Sequence, residues 1–425
     1  MLTSGRLIKI IVGVLVFSTS SIVFAQELRL GDLVEEALKN NPEIRAVQSR
    51  VEAAKYAIPQ AKSLPDPMVM FGYRNVGWNR YTYGEMSDAG WMFGASQTFP
   101  FPGKLSLKGE IAEKGVESLQ ALYEATRLKT IAQVKELYYD LFFAHKSIDL
   151  IHAKTALFSR IEEAALARYS TGMAPQQEVI MAQTEKYMLL EKEEMLNQKM
   201  QAQEAMLISV LGRTDNTPLG RPVETTATVF NLSLEELQGK ACKQSPQIQS
   251  GGKMIAATEA KVKAAQKEYY PDFTINAQVD KKGGMFEDMW SLSSTINIPL
   301  YFRTKQRQGV MEALASLSEA RSNLESTRLM IASALRDNYS MLKMSEKLME
   351  LYKNALLPKT YQDFELALAG YVSGKVEAIT TISRLKSVLD YELLYWGQIT
   401  EREKAIARME AITGDVEFIT GTGEK

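Results

Sequence analysis

Residues able to do chemistry are few and scattered in this 425-residue sequence. His145 and His152 are its only histidines. They fall in a helix-like stretch seven residues apart, so they share one face about two turns apart. Two imidazoles so placed could ligate a transition metal, but ordinary helix-surface or seam positions are the better account of them. No HExxH motif, nucleophile elbow, Walker A loop or cysteine pair accompanies them. Cys242, the single cysteine, cannot close an internal disulfide and is expected to be a small buried hydrophobe. Met68, Met70 and Met92 gather in one short region, and thioethers bind soft metals. A soft-metal relay is one reading of them; gap-filling or lipid-facing methionine is the ordinary one. No enzyme chemistry, bound metal or cofactor is expected.

Composition narrows the class. With 45% hydrophobic and 24% charged residues the chain can bury one or two ordinary cores, and its formal charge of -1 gives no electrostatic reason to expect nucleic acid. At the N-terminus, Arg6 and Lys9 precede an apolar run from Ile10 to Phe17, and Val23-Phe24-Ala25 supplies small residues before Gln26. This predicts a cleaved signal peptide over 1–25 and a mature chain beyond the inner membrane. The run is short for an anchoring span, and the absence of a cysteine after Ala25 argues against a lipid anchor.

The rest repeats itself. Leu28, Leu30, Leu33, Ala37, Pro42 and Ile44 recur as Leu232, Leu234, Leu237, Ala241, Pro246 and Ile248. LPDP at 64–67 matches YPDF at 270–273, Pro100 matches Pro299, ARYSTG matches AGYVSG, and Leu211-Gly212 matches Thr413-Gly414. Constant order at nearly constant offset predicts two copies of one unit, 26–230 and 231–414, followed by a tail over 415–425.

Each unit carries helices and a strand pair. In 272–280 and 290–298, Phe273, Ile275, Ala277 and Val279, then Trp290, Leu292, Ile296 and Ile298, alternate with polar residues. Strands are likewise expected over about 67–75 and 90–99. Each run has the length of a tilted membrane-crossing strand, and Trp78, Trp91, Phe99, Tyr269, Tyr270, Trp290 and Tyr301 cluster near the ends as interfacial girdles would. A sandwich hairpin is the soluble alternative. Helices are expected over 32–62, 104–169, 175–211, 234–268, 304–369 and 376–412, with Pro358 kinking the fifth without ending it. Between Val116 and Ser170 there is no glycine or proline. A helix counted from Lys104 would be about 100 Å long, too long for a globular domain. A solvated coiled coil would explain it, but not the strands or the leader. Four strands cannot close a barrel, and an open edge is not viable in lipid, so several chains must share one barrel.

The motifs NNPEI, LPDP, SQTFPFPGK, RYSTG, LLP and GYVSG closely resemble the outer-membrane efflux factors, the TolC family, over nearly the whole mature chain. The resemblance implies a homotrimer in which a 12-stranded barrel, four strands per chain, continues into a periplasmic coiled-coil tunnel. Pro100, Pro102, Gly103 and Pro299 would mark the barrel-to-tunnel junction. The partners implied are outer-membrane lipid, a periplasmic adaptor and an inner-membrane pump of the resistance-nodulation-division type. MVMFGYRN and GWMFGASQTFPFPGK look most like the heavy-metal cation branch; drug-efflux and type I secretion channels share the scaffold. A porin-like diffusion pore and a periplasmic coiled-coil scaffold or adaptor are the readings from other classes.

The resemblance also implies two sites in the far helices. The turns Ser170-Thr171-Gly172-Met173 and Val372-Ser373-Gly374-Lys375 would meet the adaptor tips, or serve only as caps. Just beyond them family members close the tunnel, in some cases with rings of aspartate. Here Thr380 and Ser383 stand where those acids would be expected. Glu377 and Glu178 are the remaining candidates for an acidic periplasmic gate, although a surface-facing glutamate is the usual fate of such residues.

Overall fold

A computed structural model describes residues 27–214, 219–224 and 228–414. The expected leader and tail lie outside these residues. α1 (Leu30–Asn40) and α2 (Pro42–Lys62) form one periodic stretch divided at Pro42, which lacks an N–H to extend the first helix and opens the second. Asn41 accepts from the backbone N–H groups of Glu43 and Ile44 at 2.8 and 3.2 Å, and its Nδ2 donates to the Val210 carbonyl at 2.7 Å. There follow β1 (Met68–Arg74), β2 (Gly90–Phe99), α3 (Lys104–Ser170) and α4 (Gln176–Leu211).

The same order of elements then returns. α5 (Leu234–Gln244) and α6 (Pro246–Lys267) are divided at Pro246, and β3 (Asp272–Lys281) and β4 (Met289–Asn297) follow. The next column comprises α7 (Gln306–Leu351), a π-helical turn (Tyr352–Leu356) and α8 (Leu357–Val372), and α9 (Ala378–Thr413) runs back. The π turn accommodates Pro358: a proline ring clashes with the carbonyl four residues earlier, and here the backbone widens so that Leu357 N–H bonds Tyr352 O. The column therefore continues through the proline.

α4 and α9 end at Gly212 and Gly414, with φ of 72° and 78°. Each packs against the backbone just before a helix-starting proline. A Cβ would lie 2.5 Å from Asn40 O at Gly212 and 2.8 Å from Gln244 O at Gly414. Only glycine satisfies both the left-handed angle and the close approach.

α3, with 67 residues, extends about 100 Å. Its apolar positions pack on α1 and α4 near the middle of the molecule, through Leu33, Val134, Leu141 and Leu207. Leu237, Leu335 and Ala405 form the matching cluster of α5, α7 and α9. Farther out, α3, α4, α8 and α9 share one core around Phe158, Ile161, Ala182, Tyr371 and Leu385. Ion pairs run down the α3–α9 seam: Lys135–Glu410, Arg408–Glu136 at 2.7 Å, Lys404–Asp140 at 2.9 Å and Lys154–Glu392 at 2.8 Å. Cys242 is exposed, contrary to expectation. The buried stripe of α5 is Leu237 and Ala241, and the next residue turns about 100° away from it.

Candidate functional site

The four strands form one antiparallel sheet in the order β1-β2-β3-β4. Register places Phe71, Phe93, Val279 and Trp290 side by side on one face, with Val69, Ala95, Ala277 and Leu292 in the next row. The other face carries Ser96, Asn276 and Ser293 in one row and Thr98, Thr274 and Thr295 in another. Along β3 the apolar Ile275, Ala277 and Val279 are exposed, whereas the polar Thr274, Asn276, Gln278 and Asp280 are the more sheltered. This sheet is apolar outside and polar inside, the reverse of a soluble domain and the arrangement of a membrane barrel. Among the described residues nothing pairs with the outer edges of β1 and β4.

Aromatic residues collect at both ends of the apolar face. Trp91 lies 5.2 Å from Phe71 and 5.0 Å from Tyr73 between ring centroids, and Tyr73 stacks on Tyr81 at 4.9 Å. At the helical end Phe101 stacks on Tyr270 at 4.5 Å, with Lys267 Nζ 5.6 and 5.1 Å from their ring centres. Amphipathic rings at these two levels suit the two membrane–water interfaces.

The junction from sheet to helix is built across the two halves of the chain. Between Pro100 and Pro102, the Phe101 N–H donates to Asp272 Oδ1 at 2.8 Å. After Gly103, the buried Lys104 ammonium lies 2.9 Å from Asp272 and 3.1 Å from Glu268. β2 thereby enters α3 against the α6–β3 corner. The corresponding passage at Pro299 leaves Leu300, Tyr301 and Phe302 exposed.

At the opposite end both hairpins close by the same turn. Gly172 N–H bonds Tyr169 O at 3.0 Å and Met173 N–H bonds Arg168 O at 2.8 Å; Gly374 to Tyr371 and Lys375 to Gly370 repeat the pattern at 3.0 and 2.8 Å. Ser170, Thr171, Gly172, Met173, Val372, Ser373, Gly374 and Lys375 are all exposed. Arg168 joins the two tips. Its Nη1 donates to the Tyr371 carbonyl at 2.7 Å, and its guanidinium carbon lies 4.7 Å from the Tyr371 ring centre. The Tyr371 hydroxyl donates to Glu178 Oε2 at 2.9 Å. Burial, together with the bond to Glu178, pushes the Tyr371 phenol up to about 12. Glu178 is thus held between the hairpins, while Glu377, Thr380 and Ser383 are exposed along the start of α9. An open groove of about 350 Å³ beside them is lined by Ile180, Thr184, Glu185, Ile379 and Ile382. Arg168 and Tyr371 are not singled out by sequence reasoning. Their signal is a place in the repeated motifs RYSTG and GYVSG, one turn before each tip glycine.

The histidines do not come together as a metal site. His152 Nε2 lies 2.7 Å from Glu193 Oε1, and half-buried His145 has its imidazole pKa depressed, chiefly by burial and also by Arg221. No group of three His, Cys, Asp or Glu residues able to hold a metal occurs among the described residues.

The profile of the family described as Outer membrane efflux protein matches residues 33–213 and 237–410. The chain belongs to that family. Its polar-inside sheet is accordingly the outer-membrane part of an efflux channel, and its helices are the periplasmic part. Proteins of this outer membrane efflux family are transport ducts rather than enzymes. The cobalt-zinc-cadmium resistance protein CzcC of Cupriavidus metallidurans is 20% identical over 313 residues, covering 73% of this chain and 74% of that protein. The nickel-cobalt-cadmium resistance protein NccC of Alcaligenes xylosoxydans xylosoxydans is 23% identical over 342 residues, covering 79% and 75%. The solved structure of the outer membrane protein VceC of Vibrio cholerae superposes with a TM-score of 0.77 at 18% identity, covering 91% of this chain and 96% of that one.

Proposed function

We propose that this outer membrane efflux protein is the passive exit duct of a tripartite system that exports heavy-metal cations. Three chains of four strands would close a 12-stranded barrel, and their helical columns would continue it as a tunnel across the periplasm. The observation that carries this reading is the four-stranded sheet, apolar outside and polar inside, with both edges unpaired among the described residues. In lipid such edges must be closed by further copies. Exposed apolar residues on α4 and the α7–α8 column, including Tyr187, Met195, Leu329 and Leu366, supply faces for neighbouring protomers. The names of CzcC and NccC support the cation cargo.

Within this reading Pro100, Pro102, Gly103 and Pro299 mark the handover from barrel to tunnel. The exposed turns at 170–173 and 372–375 meet a periplasmic adaptor, which couples the duct to an inner-membrane pump of the resistance-nodulation-division type. Glu178, Glu377, Thr380 and Ser383 lie at the periplasmic constriction. Imaging of detergent-solubilised protein tests the assembly: a threefold particle with a continuous lumen is expected, and a water-soluble monomer would overturn it. Cells lacking the chain should gain sensitivity to cobalt, zinc, cadmium or nickel, and lose it again on re-expression.

A further inference from the structure

The methionines of the four strands all lie on the polar face. Met68 and Met70 on β1, Met92 on β2 and Met289 on β4 share it with Ser96, Asn276, Gln278 and Ser293, and the apolar face has no methionine. This corrects the expectation of lipid-facing side chains. Gap-filling does not explain Met68, Met70 or Met289 either, which are 62%, 46% and 53% exposed, and Met92 is partly sheltered. An apolar side chain on a wet wall forgoes burial, so its position calls for another reason.

Register supplies one. Gly72, Met92, Asp280 and Met289 stand in a single row across the four strands, near the loops that end the sheet opposite the helices. Neighbours in such a row have Cβ atoms about 5 Å apart, so Met289 stands beside Asp280 on one side, and Met92, whose methyl lies over Gly72, comes within reach of it from the other by a change of rotamer. Gln278 Nε2 donates to Asp280 Oδ1 at 2.6 Å, which orients that carboxylate and leaves it further acceptor capacity. Met92 and Met70 extend over Gly72 and Gly94, on the seam between β1 and β2, where the missing side chains leave them room to turn. A Cβ at Gly72 would lie 3.3 Å from Met92 Cε, and one at Gly94 3.3 Å from Met70 Cε.

We infer that this row is a binding site for soft monovalent cations of the Ag(I) and Cu(I) class, on the barrel wall near the exit. Met92 and Met289 provide neutral sulfur ligands, Asp280 the negative charge, and Met70 a further thioether diagonal to Met92. Magnesium and other hard cations, which need several oxygen ligands, find one carboxylate there. The inference rests on the duct reading, and threefold assembly would repeat the site around the lumen.

Single channels in planar bilayers, in nitrate salts, test it with Ag(I) as the probe and Mg(II) as the comparison. Appearance of ohmic channels reports the duct reading separately from the site. Ag(I) is expected to block wild-type channels at concentrations where Mg(II) does not. Met92→Leu with Met289→Leu keeps the shape and removes the sulfur, and should raise the half-blocking Ag(I) concentration about tenfold or more. Asp280→Asn should raise it as well, and Met254→Leu, at an exposed position of α6, should leave it unchanged. Channels that conduct but show no Ag(I) block, or equal block in the double variant, would overturn the site and leave the duct. If the double variant yields no trimer, sulfur coordination of Ag(I) in the wild-type trimer by X-ray absorption decides, and loss of that signal in Met92→Leu alone is expected. Failure of the wild-type protein to form channels would overturn both.

Discussion

The hydroxyl of Tyr371, at the end of one hairpin, donates a hydrogen bond of 2.9 Å to Glu178 at the start of the return helix of the other. With Arg168 bonded to the Tyr371 carbonyl at 2.7 Å, the two hairpins are tied together one turn inside their tips. Any widening of this end that separates α4 from α8 must break the Tyr371–Glu178 bond.

Tyr371→Phe is therefore expected to favour the wider state. A hydrogen bond to a charged partner contributes about 1.5 kcal/mol or more, which corresponds to roughly tenfold in the balance of narrow and wide forms. Single-channel conductance and dwell times measure it. Unchanged gating would show that the end does not open along this seam.

Glu178→Gln separates charge from clasp, because glutamine still accepts from the Tyr371 hydroxyl. Combined with Glu377→Gln it should weaken divalent-cation block and cation preference if the proposed trimer brings these carboxylates together at its constriction. Thr380→Val should change neither. A reversal potential identical to wild type would place the constriction on other residues.

Ile296→Arg sets a charge on the apolar face opposite Phe273, and Thr295→Arg sets one on the polar face beside Thr274. The first is expected to cost up to about 1 kcal/mol, because Ile296 stands one residue from the helical end of β4, near the interface, and the second less. Folding yield in lipid, compared at equal expression, reads the difference. Equal losses would contradict the assignment of faces.

Burial first, and then the Arg221 charge, hold the His145 imidazole below its ordinary 6.5, with Asp149 opposing. The sign follows from linkage: its contribution to stability is complete above pH 6.5 and is lost as pH falls through the lower folded value. His145→Gln should therefore flatten the acid side of the stability profile below about pH 6.5 and leave neutral pH nearly unaffected. Denaturation midpoints followed against pH check this, and parallel acid limbs would rule it out.

At the tips, Trp in place of Thr171 or Ser373 adds bulk to exposed turns without disturbing a core. Trimer yield should stay unchanged while export and adaptor capture are lost. Export that survives with the adaptor bound would remove these turns from the interface.

Local pattern made much of this molecule legible before any folding. The two-residue period of 273–279 is that of a half-wet strand, and the uninterrupted stretch 116–170 is that of a long helix. The prolines at 42 and 246 divide helices because they lack a donor, whatever surrounds them. Recurrence of the motifs pointed to one unit used twice, and their combination to the family.

Other properties depended on segments far apart in the chain. Period alone cannot say which neighbours a strand takes, so the row of Met92, Asp280 and Met289 exists only through the pairing of β2 with β3 and β3 with β4. The same pairing moved the methionines from the expected lipid side to the wet one. Cys242 left the core because the turn of α5 carried it past the buried stripe. Tyr371 met Glu178, 193 residues away, because two separate hairpins pack side by side. A residue's own periodicity decides its face on one element; only the docking of distant elements decides what that face meets.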